Sequence, residues 1–481
     1  MEISKDSFAG LDSAILWDKF IDFTKTPRPS GYEELILDYL VNFAKERKLN
    51  FFQDEKGNLS IHYDPAGVDP KTPRVIIQNH VDMVCDARPG LEFDFKTQEI
   101  PIYRDDNWLR ADGTTLGADN GIGCAAALAL IDSKAKCPPL NLLFTVEEET
   151  GLFGALDLDP KLLEGEFLFN LDGEDFGQFF IGCAGGKCAE VFKMLDAEEL
   201  ERSYYKLEVK NFKGGHSGVD IHLGRQNAIL YLLGLLKNTE VLLSEAQIGK
   251  AHNIIPRDGE VFFTISGDEE KTIDLISSRI ELFHQTMNKD DLSYEVNLEK
   301  CETEKRKFLS EESSKELINF VTLFPSGVFG FESDFELPLT SLSANLAKFI
   351  LKDGEVFILN SFRFNDNLQA DVIESKLKAL SELGGFELSI DTGYPGWKPD
   401  INNPLISLCN DVFRETFQEV PTVLAMHAGL ECGVLIAKKQ GLPAISFGPD
   451  IRNAHSPDEC VDINSVEQFW RLLKAVMAKL S

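Results

Sequence analysis

Several stretches of the chain are apolar without alternation and stop at an ionisable group. Val75-Ile76-Ile77 leads to His80 and Asp82, Leu140 to Val146 leads to Glu147-Glu148-Glu149, and Phe167 to Leu171 leads to Asp172. Such runs predict strands covered on both faces, as in the middle of an open α/β sheet, where chemistry sits at the carboxyl ends of the strands. Ala444 to Phe447 and a stretch near Thr422 to Met426 add strands of the same style late in the chain. Helices are predicted over residues 11–25 and 31–48, with Pro27-Arg28-Pro29-Ser30 stopping the first and starting the second. Further helices are predicted over Ile122 to Ile131, Pro404 to Thr416, Gly433 to Lys439 and Ser465 to Leu480. Phe51 to Asp54 and Asn58 to His62 flank Lys56-Gly57-Asn58 as a hairpin, in which His62 has a surface or core role.

From about Tyr204 the pattern changes to alternating strands and amphipathic helices. Strands are expected at Tyr205 to Val209, Gly259 to Ile265, Ser293 to Leu298, Ser341 to Ile350, Glu355 to Phe364 and Phe386 to Ile390. Helices are expected at Gln226 to Leu236, Lys271 to Met287, Lys315 to Leu323 and Asp371 to Leu383. Both halves end in a loop, a long helix and an alternating strand, which predicts an internal duplication of an α+β unit. After Gly393 the buried style returns, so the second domain is inserted into the first. The expected fold class is α/β: a mixed, mostly parallel sheet, with an inserted and duplicated α+β domain. Residues 1–185 and 393–481 would form the catalytic domain and 186–392 the lid or dimerisation domain, with the glycine-rich Gly182 to Gly186 as a hinge.

At 481 residues the chain exceeds the ~250–300 at which one core stops growing, in keeping with more than one domain. Asp plus Glu number 79 against 48 Lys plus Arg, a net charge of −31 that argues against nucleic-acid and membrane-surface partners. The 9 cysteines form no CxxC pair, the start carries no secretory signature, and no apolar run approaches a membrane span. A cytoplasmic protein is expected.

The strand-end and loop groups, in order, are His80, Asp82, Asp119, Glu148, Glu149, Asp172 and His455. Each has a bland reading: a polar strand terminus for His80 and Asp82, a helix N-cap for Asp119. Together they are harder to dismiss, because consecutive carboxylates at a buried strand end repel one another unless a metal or proton is present. Nitrogen and carboxylate donors without thiolate suit Zn²⁺, Mn²⁺ or Co²⁺, and the ligands are too many for one open metal but right for two sharing a carboxylate. Gly117, Gly121 and Gly123 do not spell a dinucleotide loop.

These residues resemble the di-zinc metallopeptidase family of carboxypeptidases, aminoacylases and dipeptidases. The match lies in His80-x-Asp82, Gly117-Ala118-Asp119-Asn120-Gly121, Glu148-Glu149-x-Gly151, Asn170-Leu171-Asp172 and His455-Ser456. The motifs around His216, His222 and His427 to Gly433, together with Ser446-Phe447-Gly448-Pro449, resemble the cytosolic aminoacyl-histidine (Xaa-His, non-specific) dipeptidase branch. The resemblance implies a phosphorylase/hydrolase-like catalytic domain with the inserted α+β domain as its lid, and a dinuclear metal-dependent dipeptidase that uses a metal-bridged water. It implies His80 and Asp172 on one metal, Glu149 and His455 on the other, and Asp119 bridging them through a cis Asp119–Asn120 peptide. Asp82 would orient His80, Glu148 would be the general base and His216 would stabilise the oxyanion. Asn253, Arg363 and Gly429 would contact substrate. The metal would be zinc, with manganese or cobalt possible, and the partners would be dipeptides and a second copy in a homodimer. An aminoacylase or tripeptidase of the same family is the alternative, ahead of a catalytically silent metal-binding protein.

Overall fold

A computed structural model of the chain describes residues 3–332 and 339–481. The chain divides into two compact units, one of residues 1–183, 397–425 and 430–481, the other of residues 184–396 and 426–429.

The first unit is built on an 8-stranded sheet in the order Asn50–Gln53, Leu59–Tyr63, Leu140–Thr145, Val75–His80, Phe167–Asn170, Ala444–Ser446, Gln178–Cys183, Thr422–Met426. The three strands expected from unbroken apolar runs lie at its centre: Val75–His80 runs parallel to Leu140–Thr145 on one side and to Phe167–Asn170 on the other. Ala444–Ser446 continues the parallel set. Leu59–Tyr63 and Gln178–Cys183 join it antiparallel. Every residue of Val75–His80 and Leu140–Thr145 is buried, which explains why their sequences do not alternate. The helix Ala118–Asp132 is also buried along nearly its whole length. Its run of alanines lets it pack closely against the Ala14–Thr24 helix and the Val75–His80 strand. Carboxyl ends of parallel strands point one way, so His80, the turn after Thr145 and the turn after Asn170 are gathered at one end of the sheet.

The second unit is a 9-stranded sheet in which all observed pairings are antiparallel. Its order is Glu295–Leu309, Ala197–Lys210, Gly259–Ile265, Val241–Ile248, Leu339–Lys352, Glu355–Phe364, Gly185–Met194, Glu387–Ile390, with Gly327–Glu332 added to Leu339–Lys352. Outward from the junction between Val241–Ile248 and Leu339–Lys352, the two halves carry equivalent strands in the same order, as duplication requires. Helices Ala228–Leu236 and Glu269–Thr286 in one half correspond to Glu311–Thr322 and Asn367–Gly384 in the other.

Two sequence readings need correction. Gly182 to Gly186 is not an irregular turn, for Gln178–Cys183 and Gly185–Met194 are both strands. The glycines there answer to crowding: a Cβ on Gly185 would come within 2.4 Å of the Gly396 nitrogen, and one on Gly186 within 2.7 Å of the Tyr394 hydroxyl. The second correction is the strand Val241–Ile248, which the sequence reading omitted. Its burial does not alternate, and its register slips between Leu243 and Glu245, so no period of two survives in the sequence. Among the described residues no helix is long and apolar enough to cross a membrane.

Candidate metal centre

His80 ends its strand fully buried, with Nε2 3.0 Å from Asp119 Oδ1 and 3.4 Å from Asp172 Oδ1. His455 comes from the loop between Ile451–Arg452 and Cys460–Asp462, where its backbone takes the left-handed φ of 63°. A branched-free polar residue tolerates that conformation, though at a cost that functional loops commonly carry. Its Nε2 lies 3.0 Å from Asp119 Oδ2 and 3.0 Å from Glu149 Oε2. The two oxygens of Asp119 therefore serve different histidines. The N-cap reading of Asp119 fails on its side chain: the carboxylate turns to the two histidines instead of capping backbone. The Asp119–Asn120 peptide is cis, as the resemblance implied.

Of the three successive glutamates only two enter this cluster. Glu147 pairs with Lys56 at 2.8 Å, while Glu148 Oε2 approaches His80 Nε2 to 4.0 Å and Glu149 reaches His455. Asp82 holds the turn that carries them. Its Oδ1 accepts from the Glu148 N–H at 3.1 Å and its Oδ2 from the Glu149 N–H at 3.2 Å and the Ser30 hydroxyl at 2.7 Å. Asp82 Oδ1 is also 3.5 Å from His80 Nδ1, so one buried carboxylate touches the histidine and both glutamates.

The electrostatics follow from packing four carboxyls beside two imidazoles. Burial, reinforced by neighbouring acids, raises Glu148 well above the ordinary carboxyl range and also raises Glu149 and Asp172. Asp119 goes the other way: burial opposes its charge, but the bonds from His455 and His80 outweigh that and hold it far below the usual range. Those bonds to Asp119 and Glu149 push His455 up to about 11. Against its burial, His80 is likewise raised by the acids around it, yet two protonated imidazoles leave the four carboxyls short of positive charge. The donors fit divalent ions: one ligand atom each from His80, Asp119 and Glu149 lie within 4.8 Å of one another, and Glu149 Oε1 is buried without a hydrogen-bond partner. Imidazole and carboxylate without thiolate is the donor chemistry of zinc, manganese and cobalt.

The remaining residues singled out in the sequence lie in the second unit. His216 Nε2 is 3.4 Å from Arg363 Nη2, and Arg363 Nη1 donates to the Tyr394 hydroxyl at 3.1 Å. Gly429 packs on the same tyrosine: a Cβ there would meet the ring at 2.9 Å. Asn253 is half-buried, and its carbonyl accepts from the Ser217 N–H at 2.8 Å in the loop that bears His216. Sequence reasoning gave no role to Tyr394 or to His427, which it named only as part of a motif; His427 is half-buried, with Nε2 bonded to Ser343 at 2.7 Å. Gly218 is the signal that was available, since a Cβ there would fall 2.2 Å from the His427 carbonyl and 3.0 Å from Arg363 Nε.

The chain is similar to known proteins over nearly its whole length. Cytosol non-specific dipeptidase of Escherichia coli (strain K12) is 34% identical over 477 residues, covering 97% of each chain. The crystal structure of aminoacylhistidine dipeptidase from Vibrio alginolyticus superposes with a TM-score of 0.89 at 30% identity, covering 99% of this chain and 98% of that one. A tripeptidase from Staphylococcus aureus, at 14% identity and a TM-score of 0.57 over 98% of this chain and 99% of its own, shares the fold. The model of peptidase family M20/M25/M40 matches residues 76–479, and the chain belongs to that family.

Proposed function

We propose that the protein is a dinuclear metal-dependent dipeptidase, of Xaa-His or broad preference, acting in the cytosol as a homodimer. The observation that carries this reading is the division of the Asp119 oxygens between His80 and His455, with Glu148 beside them. His80 and Asp172 would hold one ion, Glu149 and His455 the other, and Asp119 would join them. When bound, the two ions supply Lewis acidity, polarising the scissile carbonyl and lowering the pKa of the attacking water. Zinc is the favoured metal, with manganese and cobalt as substitutes.

The chain's own groups do the rest. Asp82 fixes the turn that carries Glu148 and orients His80. Glu148 takes a proton from the attacking water as its oxygen bonds to the carbonyl carbon, and then delivers that proton to the leaving nitrogen as the C–N bond breaks. A carboxyl raised by burial and by adjacent acids has the proton affinity that both transfers need. His216 would donate to the oxyanion, and Arg363 would bind the substrate carboxylate with its planar fork, with Asn253 and Gly429 lining the same region. Support for the dipeptidase reading comes from the E. coli and Vibrio relatives, which span nearly the whole chain.

A dipeptide panel assayed with metal-depleted and metal-restored protein tests the reading. Hydrolysis of free-amine dipeptides that disappears on depletion and returns with Zn²⁺, Mn²⁺ or Co²⁺ is expected. Turnover of N-acetyl amino acids alone would make it an aminoacylase, and turnover of tripeptides alone a tripeptidase.

A further inference from the structure

The loop that delivers Asp119 is gripped from both faces by opposite charges that the reaction does not use. Glu459, 2% exposed, accepts four backbone N–H groups: Leu116 at 2.7 Å and Gly117 at 2.9 Å on Oε2, Ala118 at 2.8 Å and Asp119 at 3.3 Å on Oε1. Arg28, also 2% exposed, approaches the same loop with Nη2, donating to the Gly117 carbonyl at 2.5 Å. Its Nη1 donates to the carbonyls of Val81 at 2.9 Å and Asp82 at 3.0 Å, directly after the strand that ends in His80. The N–H of Gly117 thus meets an anion and its C=O meets a cation. Only glycine fits there: φ is 71°, and a Cβ would lie 2.4 Å from Arg28 Nη2; at Gly121 it would lie 2.7 Å from the same nitrogen.

Glu459 also belongs to the loop of His455. Its own N–H donates to the Ser456 carbonyl at 3.0 Å, one residue past that histidine. Asp119 and His455, two groups 3.0 Å apart from distant parts of the sequence, are therefore coupled through one buried carboxylate. Such a carboxylate, saturated by fixed N–H donors, is a stiff support. We propose that Glu459, with Arg28 on the opposite face, is a positioning residue that aims the Asp119 carboxylate and ties it to the His455 loop. This rests on the two-metal reading above. A support that only stabilised the fold would leave metal affinity alone, whereas one that aims a shared ligand must change it.

The test is the Glu459→Gln variant, which keeps the shape but replaces one acceptor oxygen with an amide that faces backbone N–H groups. Co²⁺ and Zn²⁺ dissociation constants would be measured by competition with a chromophoric chelator, alongside the visible spectrum of the Co²⁺ protein and circular dichroism. A loss of ~10–100-fold in metal affinity, with an altered Co²⁺ spectrum and unchanged dichroism, is expected. Glu459→Asp should recover part of it. Wild-type affinity and spectrum in Glu459→Gln, even with a lowered melting temperature, would overturn the proposal. Should that variant not fold, Arg28→Lys, which can hold fewer of the carbonyls, is judged on the same readouts. Wild-type protein that binds no metal would instead overturn the two-metal reading, and this inference with it.

Discussion

His216 Nε2 and Arg363 Nη2 stand 3.4 Å apart, and both atoms are hydrogen-bond donors. The ring's other nitrogen, Nδ1, accepts from the N–H groups of Gly218 at 3.3 Å and Val219 at 3.1 Å, so the neutral tautomer carries its proton on Nε2. Burial and the Arg363 charge lower the imidazole to about 4, which keeps it in that neutral form at physiological pH. Two donors at such a distance call for an anion to receive them.

The two residues should therefore fail differently when removed. Arg363→Ala is expected to raise KM by ~10–100-fold, since a charge-assisted bond to a carboxylate contributes about 1.5–3 kcal/mol in ground and transition state alike. His216→Ala is expected to lower kcat by ~10²–10³, the usual cost of losing an oxyanion donor. Steady-state kinetics with metal analysis decides, and wild-type constants in both variants would confine these residues to a structural role.

Glu148→Gln should bind both metals and turn over ~10²–10⁴-fold more slowly, because only the proton acceptor is lost. Metal content by atomic absorption separates this from ligand loss. A variant depleted of metal would exchange the roles of Glu148 and Glu149.

Exhaustive chelation should abolish activity and lower the melting temperature, since an ion that binds the folded chain stabilises it by mass action. At a free-ion concentration 100 times the dissociation constant the stabilisation is about 2.7 kcal/mol. Scanning calorimetry against free Zn²⁺ measures it, and a melting temperature indifferent to metal would contradict the arrangement.

His427 sets an acid limit on stability. Burial lowers it to about 3, against ~6.5 in an unfolded chain, so the unfolded state binds the proton first as pH falls. Its contribution is intact above pH ~6.5 and is lost progressively between there and about 3. Replacing it by Gln should flatten the fall of denaturation midpoint over that window. An unchanged slope would place the acid sensitivity elsewhere.

Four residues of the candidate metal centre, His80, Asp119, Glu149 and Asp172, were legible in the sequence because each follows an unbroken apolar run or a glycine-flanked turn, a local pattern that topology converts into proximity, whereas His455 sits in a loop with no such local mark. Arg28 and Glu459 were not legible. Arg28 stood in a proline-flanked break that explained itself as a helix stop, and Glu459 bonds to backbone 340 to 343 residues earlier, where side-chain identity leaves no trace. The duplication was visible as rhythm, although Val241–Ile248, the strand that joins the halves, was hidden by its bulge.

That junction has a consequence of its own. Val241–Ile248 meets Leu339–Lys352 through Ala246↔Leu351, Gln247↔Ile350 and Ile248↔Phe349, so each half shields an edge that would otherwise offer open N–H and C=O groups to other molecules. Because one chain supplies both edges, their pairing does not weaken on dilution as it would between separate subunits. Two tethered copies are also free to diverge. Arg363 sits near the end of the strand next to the junction in the later half, while the matching strand of the earlier half, Gly259–Ile265, runs out at Ser266. Duplication has left a sheet with two matching arms, of which only the later carries an arginine near that strand end.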